Sequence, residues 1–202
     1  MTAAQPRPGR ARIHAALRAF PRRAEAADGH RPAAVAVTVV AGPAVLLTRR
    51  ASSLRAHAGQ YALPGGRADP GETSLQAARR ELAEELGMEL APGAVLGLLD
   101  DYVTRSGYVI TPVVLWAGDH TGPLRPREAE VAEVFRIPFA DLDVEPQFVA
   151  IPESDRPVIR LPLRGGYLHA PTAAVLHQFR EVVLGGRHTR VAHLEQPVFA
   201  WR

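Results

Sequence analysis

The chain contains no cysteine, so it has no disulfide framework, no thiolate nucleophile and no cysteine-based zinc site. This lack favours a reducing environment. No apolar run approaches the ~18–20 residues that a membrane-spanning helix requires. The amino-terminal part also lacks the apolar segment of a secretion signal. We therefore expect a cytoplasmic protein that is neither secreted nor bound to a membrane.

Aromatic residues are scarce, at 6% of the 202 residues, and they do not alternate with basic residues in the way that builds a nucleic-acid stacking platform. None of the eight histidines has the spacing of a zinc site. The net charge is +3, and arginine dominates the basic residues. Such a charge suits a phosphate-rich ligand as well as a nucleic acid. The missing stacking platform favours a small-molecule ligand.

The chain divides by composition into an amino-terminal arm (1–32), one domain (33–185) and a basic carboxy-terminal tail (186–202). The arm is rich in arginine, and Ile13, Leu17 and Phe20 recur at helical spacing before Pro21 ends the run. A basic amphipathic helix can contact a membrane or an import receptor. We favour the alternative that it docks on the domain through its apolar side.

Apolar and β-branched runs predict strands, and two longer periodic segments predict helices. The expected strands are 35–40, 45–48, 95–99, 102–103, 109–116 and 131–137, with a late hairpin at 158–163 and 167–169. The expected helices are 75–86 and 171–184, with a short helical piece at 139–142. Segment 146–162 contains four prolines, and we expect it to be largely irregular. The order of elements indicates an α/β sandwich with a mixed sheet.

The predicted helix at 75–86 combines an apolar stripe with a group of carboxylates. Its stripe consists of Leu75, Ala78, Leu82 and Leu86. At about 100° per residue, three glutamates fan out from one flank of this stripe; they are Glu81, Glu84 and Glu85. Glu72 precedes the helix in a glycine-rich loop. Oxygen ligands beside such a loop are what Mg²⁺ prefers.

The spacing of this segment is that of a known signature. Nine residues fill every fixed position of G-x5-E-x7-R-E-U-x-E-E-x-G-U, where U is a bulky aliphatic residue: Gly66, Glu72, Arg80, Glu81, Leu82, Glu84, Glu85, Gly87 and Met88. The sequence therefore resembles the Nudix hydrolase family. The resemblance implies an α/β/α sandwich with a mixed sheet, and metal-assisted attack of water on a pyrophosphate link.

The resemblance also implies roles for residues. The expected ligands of Mg²⁺ or Mn²⁺ are Glu72, Glu81, Glu84, Glu85 and the backbone of Gly66. Arg80 is expected to hold a glutamate in position. The catalytic residues are expected among Arg80, Glu84, Glu85 and Glu130. The proton acceptor is either Glu84 or, from the loop before a later strand, Glu130 or Glu133; the last two can equally be a solvated strand edge.

The residues just before the signature indicate a substrate. They follow LLTxR-[SA]-x3-R-x3-G-x3-F-P-G-G, with Leu63 in place of the phenylalanine, and so resemble the coenzyme A pyrophosphatase branch of the family. The implied substrate-binding residues are Arg50, Arg55, Gly59 and Gly65. A homodimer is compatible with this reading. The alternatives are a Nudix hydrolase of ADP-ribose, NADH or an oxidised nucleotide, and a non-catalytic nucleotide sensor.

Overall fold

The computed structural model describes residues 8–54, 57–118 and 120–201. In these ranges the helices are α1 (Arg10–Ala19), α2 (Ser74–Leu86), α3 (Phe139–Leu142) and α4 (Thr172–Phe179), the last continued by a π-helical turn, Arg180–Leu184. The strands are β1 (Arg31–Val40), β2 (Ala44–Arg50), β3 (Tyr61–Ala62), β4 (Gly65–Arg67), β5 (Val95–Leu98), β6 (Tyr102–Val103), β7 (Tyr108–Ala117), β8 (Val131–Pro138), β9 (Gln147–Ile151), β10 (Ser154–Leu163) and β11 (Gly166–His169).

The main sheet has the order β3-β2-β1-β7-β5, with β4 paired to β1, β6 to β7 and β8 to β2. Strands β1 and β7 run parallel over ten residue pairs, and the other pairings are antiparallel. The sheet is therefore mixed, as the sequence predicts. A second, antiparallel sheet has the order β11-β10-β9.

Helices cover both faces of the main sheet, because successive side chains of a strand point to opposite faces. On one face Ala34 and Ala36 of β1 pack with the buried residues of α2, among them Leu82. On the other face Val37 and Val39 join a larger core with α1 and α4. This arrangement confirms the predicted mixed α/β fold.

The amino-terminal helix lies against this larger core. Ile13 and Leu17 are buried, and Phe20 follows them into the same cluster. Arg22, just after the helix, donates to the buried carboxylate of Asp101 at 2.6 Å. The apolar side of α1 is thus occupied by the domain, as the docking alternative predicts. In the described part of the chain, no helix has the length and apolar character needed to cross a bilayer.

Two features differ from the sequence prediction, and a third was not predicted. The prediction that 146–162 is largely irregular is wrong, because β9 and most of β10 lie in it and pair with each other, whereas the predicted hairpin of 158–163 with 167–169 is confirmed by the pairing of β10 with β11. Leu75 is 36% exposed at the start of α2 and does not share the core face of that helix. The tail packs onto the domain, with Val191, Leu194 and Glu195 buried. The predicted division into arm, domain and tail stays a prediction.

Candidate active site

Local sequence sets both ends of α2. Thr73 is the N-cap: its hydroxyl accepts from the backbone N–H of Gln76, and the Gln76 side chain accepts from the backbone N–H of Thr73. This capping box satisfies two backbone donors that a helix start leaves free. Gly87 ends the helix with φ 65°, a left-handed conformation that glycine adopts without strain. The helix is thereby fixed in register with the glutamates it carries.

Two glycines let the strand before α2 approach these glutamates. β4 pairs with β1 so that Gly66 lies opposite Ala34 and Gly65 opposite Val35. A Cβ atom on Gly66 would lie 2.6 Å from Cδ of Glu81, and one on Gly65 would lie 2.8 Å from Cα of Val35. Neither position has room for a side chain as the structure stands. The backbone of β4 therefore forms one wall of the carboxylate site.

Arg80 binds Glu72 with two nitrogens. Its Nε and Nη2 donate to the two carboxylate oxygens of Glu72, each at 3.0 Å, and Nη2 also donates to the carbonyl oxygen of Arg67 at 2.9 Å. The bond with Arg80 lowers the pKa of Glu72. Because Asp69 N–H also donates to Glu72, both of its oxygens are engaged. The structure therefore shows Glu72 as the partner of Arg80, and does not bring it in as a free metal ligand.

Glu85 is the buried carboxylate of the site, and Glu81 beside it is partly buried. Glu85 is 5% exposed, and its Oε1 accepts from the N–H of Gly65 at 3.4 Å. Burial raises the pKa of Glu85 to about 7, and the charges of Glu81 and Glu130 add to this effect. Burial also raises the pKa of Glu81, although Arg80 opposes the shift with a 2.8 Å hydrogen bond. Their negative charges are thus incompletely compensated by the protein.

The remaining carboxylates lie around this pair. Glu84 is half exposed, with one oxygen 3.4 Å from Nη1 of Arg80. Glu130 pairs with Arg127 at 3.1 Å, and its charge raises the pKa of both Glu81 and Glu85. The structure thus brings Glu130 to the same site from the end of the loop before β8.

Two backbone bonds hold that loop against the end of α2: Arg127 N–H donates to the carbonyl oxygen of Glu85, and Arg125 N–H to that of Leu86, both at 2.8 Å. Glu133 is separate from the carboxylate site. It lies opposite Arg49 in the β2–β8 ladder and forms an ion pair with it. The strand-edge alternative therefore describes Glu133, whereas Glu130 belongs to the site.

The carboxylate oxygens of this site are ligands that suit a hard divalent cation, although they do not converge on one point. Among the residues that the structure describes, no group of three acidic or histidine side chains is arranged to hold a metal ion. Arg80 accounts for part of this, since it engages Glu72 and Glu81. The raised pKa values of Glu81 and Glu85 still match what a cation would neutralise. Glu81, Glu85 and Glu84, with the backbone of Gly66, are the residues that would hold it.

A pocket of about 320 Å³ opens beside Gly65 and Gly66. Strand β1 pairs with β4 over its first half and with β2 only at its last two residues. The sheet is therefore open between β4 and β2. Arg50 lines the pocket, and its positive charge acts on Glu85. The Nε of Arg50 is buried and has no hydrogen-bond partner among the described residues. The pocket therefore joins a free guanidinium donor to the carboxylates.

The other predicted substrate residues are placed less directly. Gly65 lines the pocket, but Gly59 does not; it lies in a turn with φ 70°, and its N–H donates to the carbonyl oxygen of Arg50. Its role in the structure is to shape the loop after Arg50. Arg55 lies outside the described residues.

Sequence reasoning missed several pocket residues, namely Arg67, Thr104, Ser106, Tyr108, Gln196 and Ala200. It also left His57 without a role, and this residue lines the pocket. No local motif marks these residues, because strand pairing and the packing of the tail bring them together.

Comparisons with known proteins identify similar sequences and similar solved structures. The chain is 40% identical over 117 residues to an uncharacterized Nudix hydrolase, NudL, of Photorhabdus laumondii, a match that covers 56% of this chain and 62% of that protein. It is 43% identical over 115 residues to the NudL protein of Yersinia enterocolitica, covering 55% and 58% respectively. The chain thus spans less than two thirds of the length of these curated relatives.

Among solved structures, a MutT NUDIX hydrolase from Burkholderia pseudomallei is similar with a TM-score of 0.48 and 23% identity, covering 73% of this chain and 96% of that chain. The sequence profile of the NUDIX domain matches residues 29–161, which is well over half of the chain. This range contains the complete signature and both glycines of β4. The chain therefore belongs to the NUDIX domain family.

Proposed function

We propose that this chain is a divalent-metal-dependent hydrolase of a pyrophosphate bond and that its substrate is coenzyme A or an acyl-CoA. The products are 4′-phosphopantetheine, acylated or not, and adenosine 3′,5′-bisphosphate. The observation that carries the proposal is the position of partly buried Glu81 and buried Glu85 at the Gly65–Gly66 wall, beside a pocket that contains Arg50.

The residues divide the work of the reaction. Bound Mg²⁺ or Mn²⁺ supplies activation of water and neutralisation of phosphate charge. Glu81, Glu84 and Glu85 would hold the cation, and Arg80 fixes Glu81 through a 2.8 Å hydrogen bond. Glu130, whose charge acts on both Glu81 and Glu85 from the loop before β8, accepts the proton of the attacking water. The water oxygen bonds to one phosphorus, and the bond from that phosphorus to the bridging oxygen breaks.

The choice of coenzyme A depends on the segment between Leu46 and Gly66. This segment places Arg50 at the pocket with its buried Nε free, which is the kind of donor that a phosphate oxygen requires. It also builds the pocket wall from Tyr61 to Leu63. A cytoplasmic location and a homodimer stay predictions from the sequence.

The second candidate is hydrolysis of another nucleoside diphosphate derivative, because the carboxylate site treats any pyrophosphate alike and only the pocket distinguishes substrates. The test is a substrate panel with Mg²⁺: CoA, acyl-CoAs of increasing length, ADP-ribose, NADH and an oxidised nucleoside triphosphate, with products separated by chromatography. Cleavage of the CoA compounds at the highest kcat/KM supports the proposal. If another compound is cleaved and no CoA compound is, the choice of substrate is overturned. If none of the compounds is cleaved, the nucleotide sensor is favoured.

A further inference from the structure

At one end of the pocket Arg67 and Tyr108 line the wall, and Arg31, which is outside the lining, stacks on the same tyrosine ring. The guanidinium carbon of Arg31 lies 4.2 Å from the ring centroid of Tyr108, and Nε of Arg67 donates to the Tyr108 hydroxyl oxygen at 2.8 Å. Strand pairing sets this arrangement, because Arg31 lies opposite Tyr108 and Arg67 lies opposite Ala33. Both arginines therefore project from the same face of the sheet.

These arginines have no acidic partner. Among the residues that the structure describes, no carboxylate lies within ion-pair distance of Arg31 or Arg67, whereas Arg80 of the carboxylate site and Arg190 of the tail are both paired. The hydroxyl groups of Thr104 and Ser106 at this end are engaged in their own turn, where Thr104 donates to the carbonyl oxygen of Tyr108 and Ser106 donates to Thr104. The guanidinium groups therefore carry the positive charge, and guanidinium without a neighbouring carboxylate is suited to an anion.

The distance of this end from the carboxylates is set by β1. Gly66 lies opposite Ala34, and Tyr108 lies opposite Arg31, three residues earlier on the same strand. Because β4 and β7 flank β1 on opposite sides, the backbones at Gly66 and Tyr108 are about 14 Å apart. Gly66, Arg67 and Tyr108 nevertheless line one pocket, so a nucleotide that reaches the carboxylates past Gly66 also meets Arg67.

We propose that Arg67, held by Tyr108 and assisted by Arg31, forms a second anion subsite that binds the 3′-phosphate of the nucleotide half of the substrate. The identity of that substrate rests on the proposed function. The subsite makes the pocket select 3′-phosphorylated nucleotides over otherwise identical nucleotides that lack this group. A planar guanidinium beside a phosphate is well suited to this task, because it donates two parallel hydrogen bonds.

The test is calorimetric binding of two products, adenosine 3′,5′-bisphosphate and adenosine 5′-monophosphate, to the wild type and to Arg67→Gln. We expect the wild type to prefer the bisphosphate. Arg67→Gln is expected to weaken the binding of the bisphosphate about tenfold, which is the cost of one charge-assisted contact. It is expected to weaken the binding of the monophosphate by less than about twofold. Arg160→Gln is the matched control, because Arg160 also stacks on a tyrosine, Tyr167, at 4.3 Å, but does not line the pocket.

Equal weakening of both ligands by Arg67→Gln would place the base or the 5′-phosphate at this end and overturn the subsite, as would equal binding of both ligands by the wild type. Tyr108→Phe removes only the hydroxyl that holds Arg67, and it decides the matter if Arg67→Gln does not fold. A reduced preference for the bisphosphate in Tyr108→Phe supports the subsite, and an unchanged preference contradicts it. Because binding of products is measured without turnover, a failure to cleave CoA would reject the proposed function and leave this comparison intact.

Discussion

The backbone of Gly66 lies so close to the side chain of Glu81 that a Cβ atom at position 66 would stand 2.6 Å from Cδ of Glu81. Glycine is required here by space and not by backbone conformation, since a left-handed φ does not occur at this residue. The group in the way is the end of a flexible side chain. An added methyl group will therefore move the carboxylate while the fold persists.

Gly66→Ala should retain a wild-type melting temperature within a few degrees and lose about 100-fold in kcat/KM, because displacement of a positioned group by about 1 Å costs this much. Hydrolysis assays and thermal unfolding measure the two quantities. Gly93→Ala is the matched control, because a Cβ there meets no atom within 4 Å. Full activity in Gly66→Ala would show that the position of Glu81 is not critical.

Arg80 and Glu72 should behave as one unit, because Arg80 binds both oxygens of Glu72 and also positions Glu81. Arg80→Gln is expected to lower activity by about 10- to 100-fold, the usual effect of removing a group that orients a metal ligand. The double variant Arg80→Gln with Glu72→Gln should be little worse than Arg80→Gln alone. Steady-state kinetics of Arg80→Gln, Glu72→Gln and the double variant measure the coupling. Arg79→Gln, at the neighbouring position, is the control. Strictly additive losses would contradict the shared role.

Much of this site could be predicted from sequence because its residues are close along the chain. The helix that carries Glu81, Glu84 and Glu85 has an apolar period, a capping residue and a terminating glycine, so local rules suffice. The same rules could not show that Glu72 is the partner of Arg80, and its role as a metal ligand stays a prediction. The pairing depends on where the Arg80 side chain points, which is set when β4 and α2 pack together.

The parts that sequence reasoning missed depend on contacts between distant segments. Strand β9 is surrounded by prolines and is recognisable only through its pairing with β10. The tail is held near the pocket by a contact with a distant residue, because buried Glu195 accepts a hydrogen bond from Arg105 at 2.6 Å. Arg67 and Tyr108 are 41 residues apart and meet because each pairs with β1. Such pairings leave no local pattern to read.

Stability at low pH should depend on Glu181, which lies in the π-helical turn after α4. Its carboxylate accepts two bonds from Arg187 and one from Thr189, and the bonds from Arg187 make the largest contribution to lowering its pKa to about 2. A carboxyl group with a lowered folded-state pKa stabilises the protein above its unfolded-state pKa. This stabilisation is therefore complete above about pH 4.5 and is lost as the pH falls towards about 2.

Glu181→Gln should accordingly lower the free energy of unfolding at pH 7 by an amount on the order of 3 kcal/mol. The difference from the wild type should shrink as the pH falls from about 4.5 to about 2.5. Urea unfolding at several pH values measures it, and the comparison cancels the effects of all other groups. A difference that stays constant over this range would show that the Glu181 charge does not contribute.

The most direct test of the account is the rate of CoA cleavage by Glu85→Gln at saturating Mg²⁺. Glu85 is buried against the N–H of Gly65 and is the carboxylate on which the proposed metal site most depends. The account predicts that the wild type releases adenosine 3′,5′-bisphosphate and 4′-phosphopantetheine, and that a folded Glu85→Gln variant does so at least about 100-fold more slowly. Turnover of CoA by Glu85→Gln at the wild-type rate would contradict the proposed mechanism.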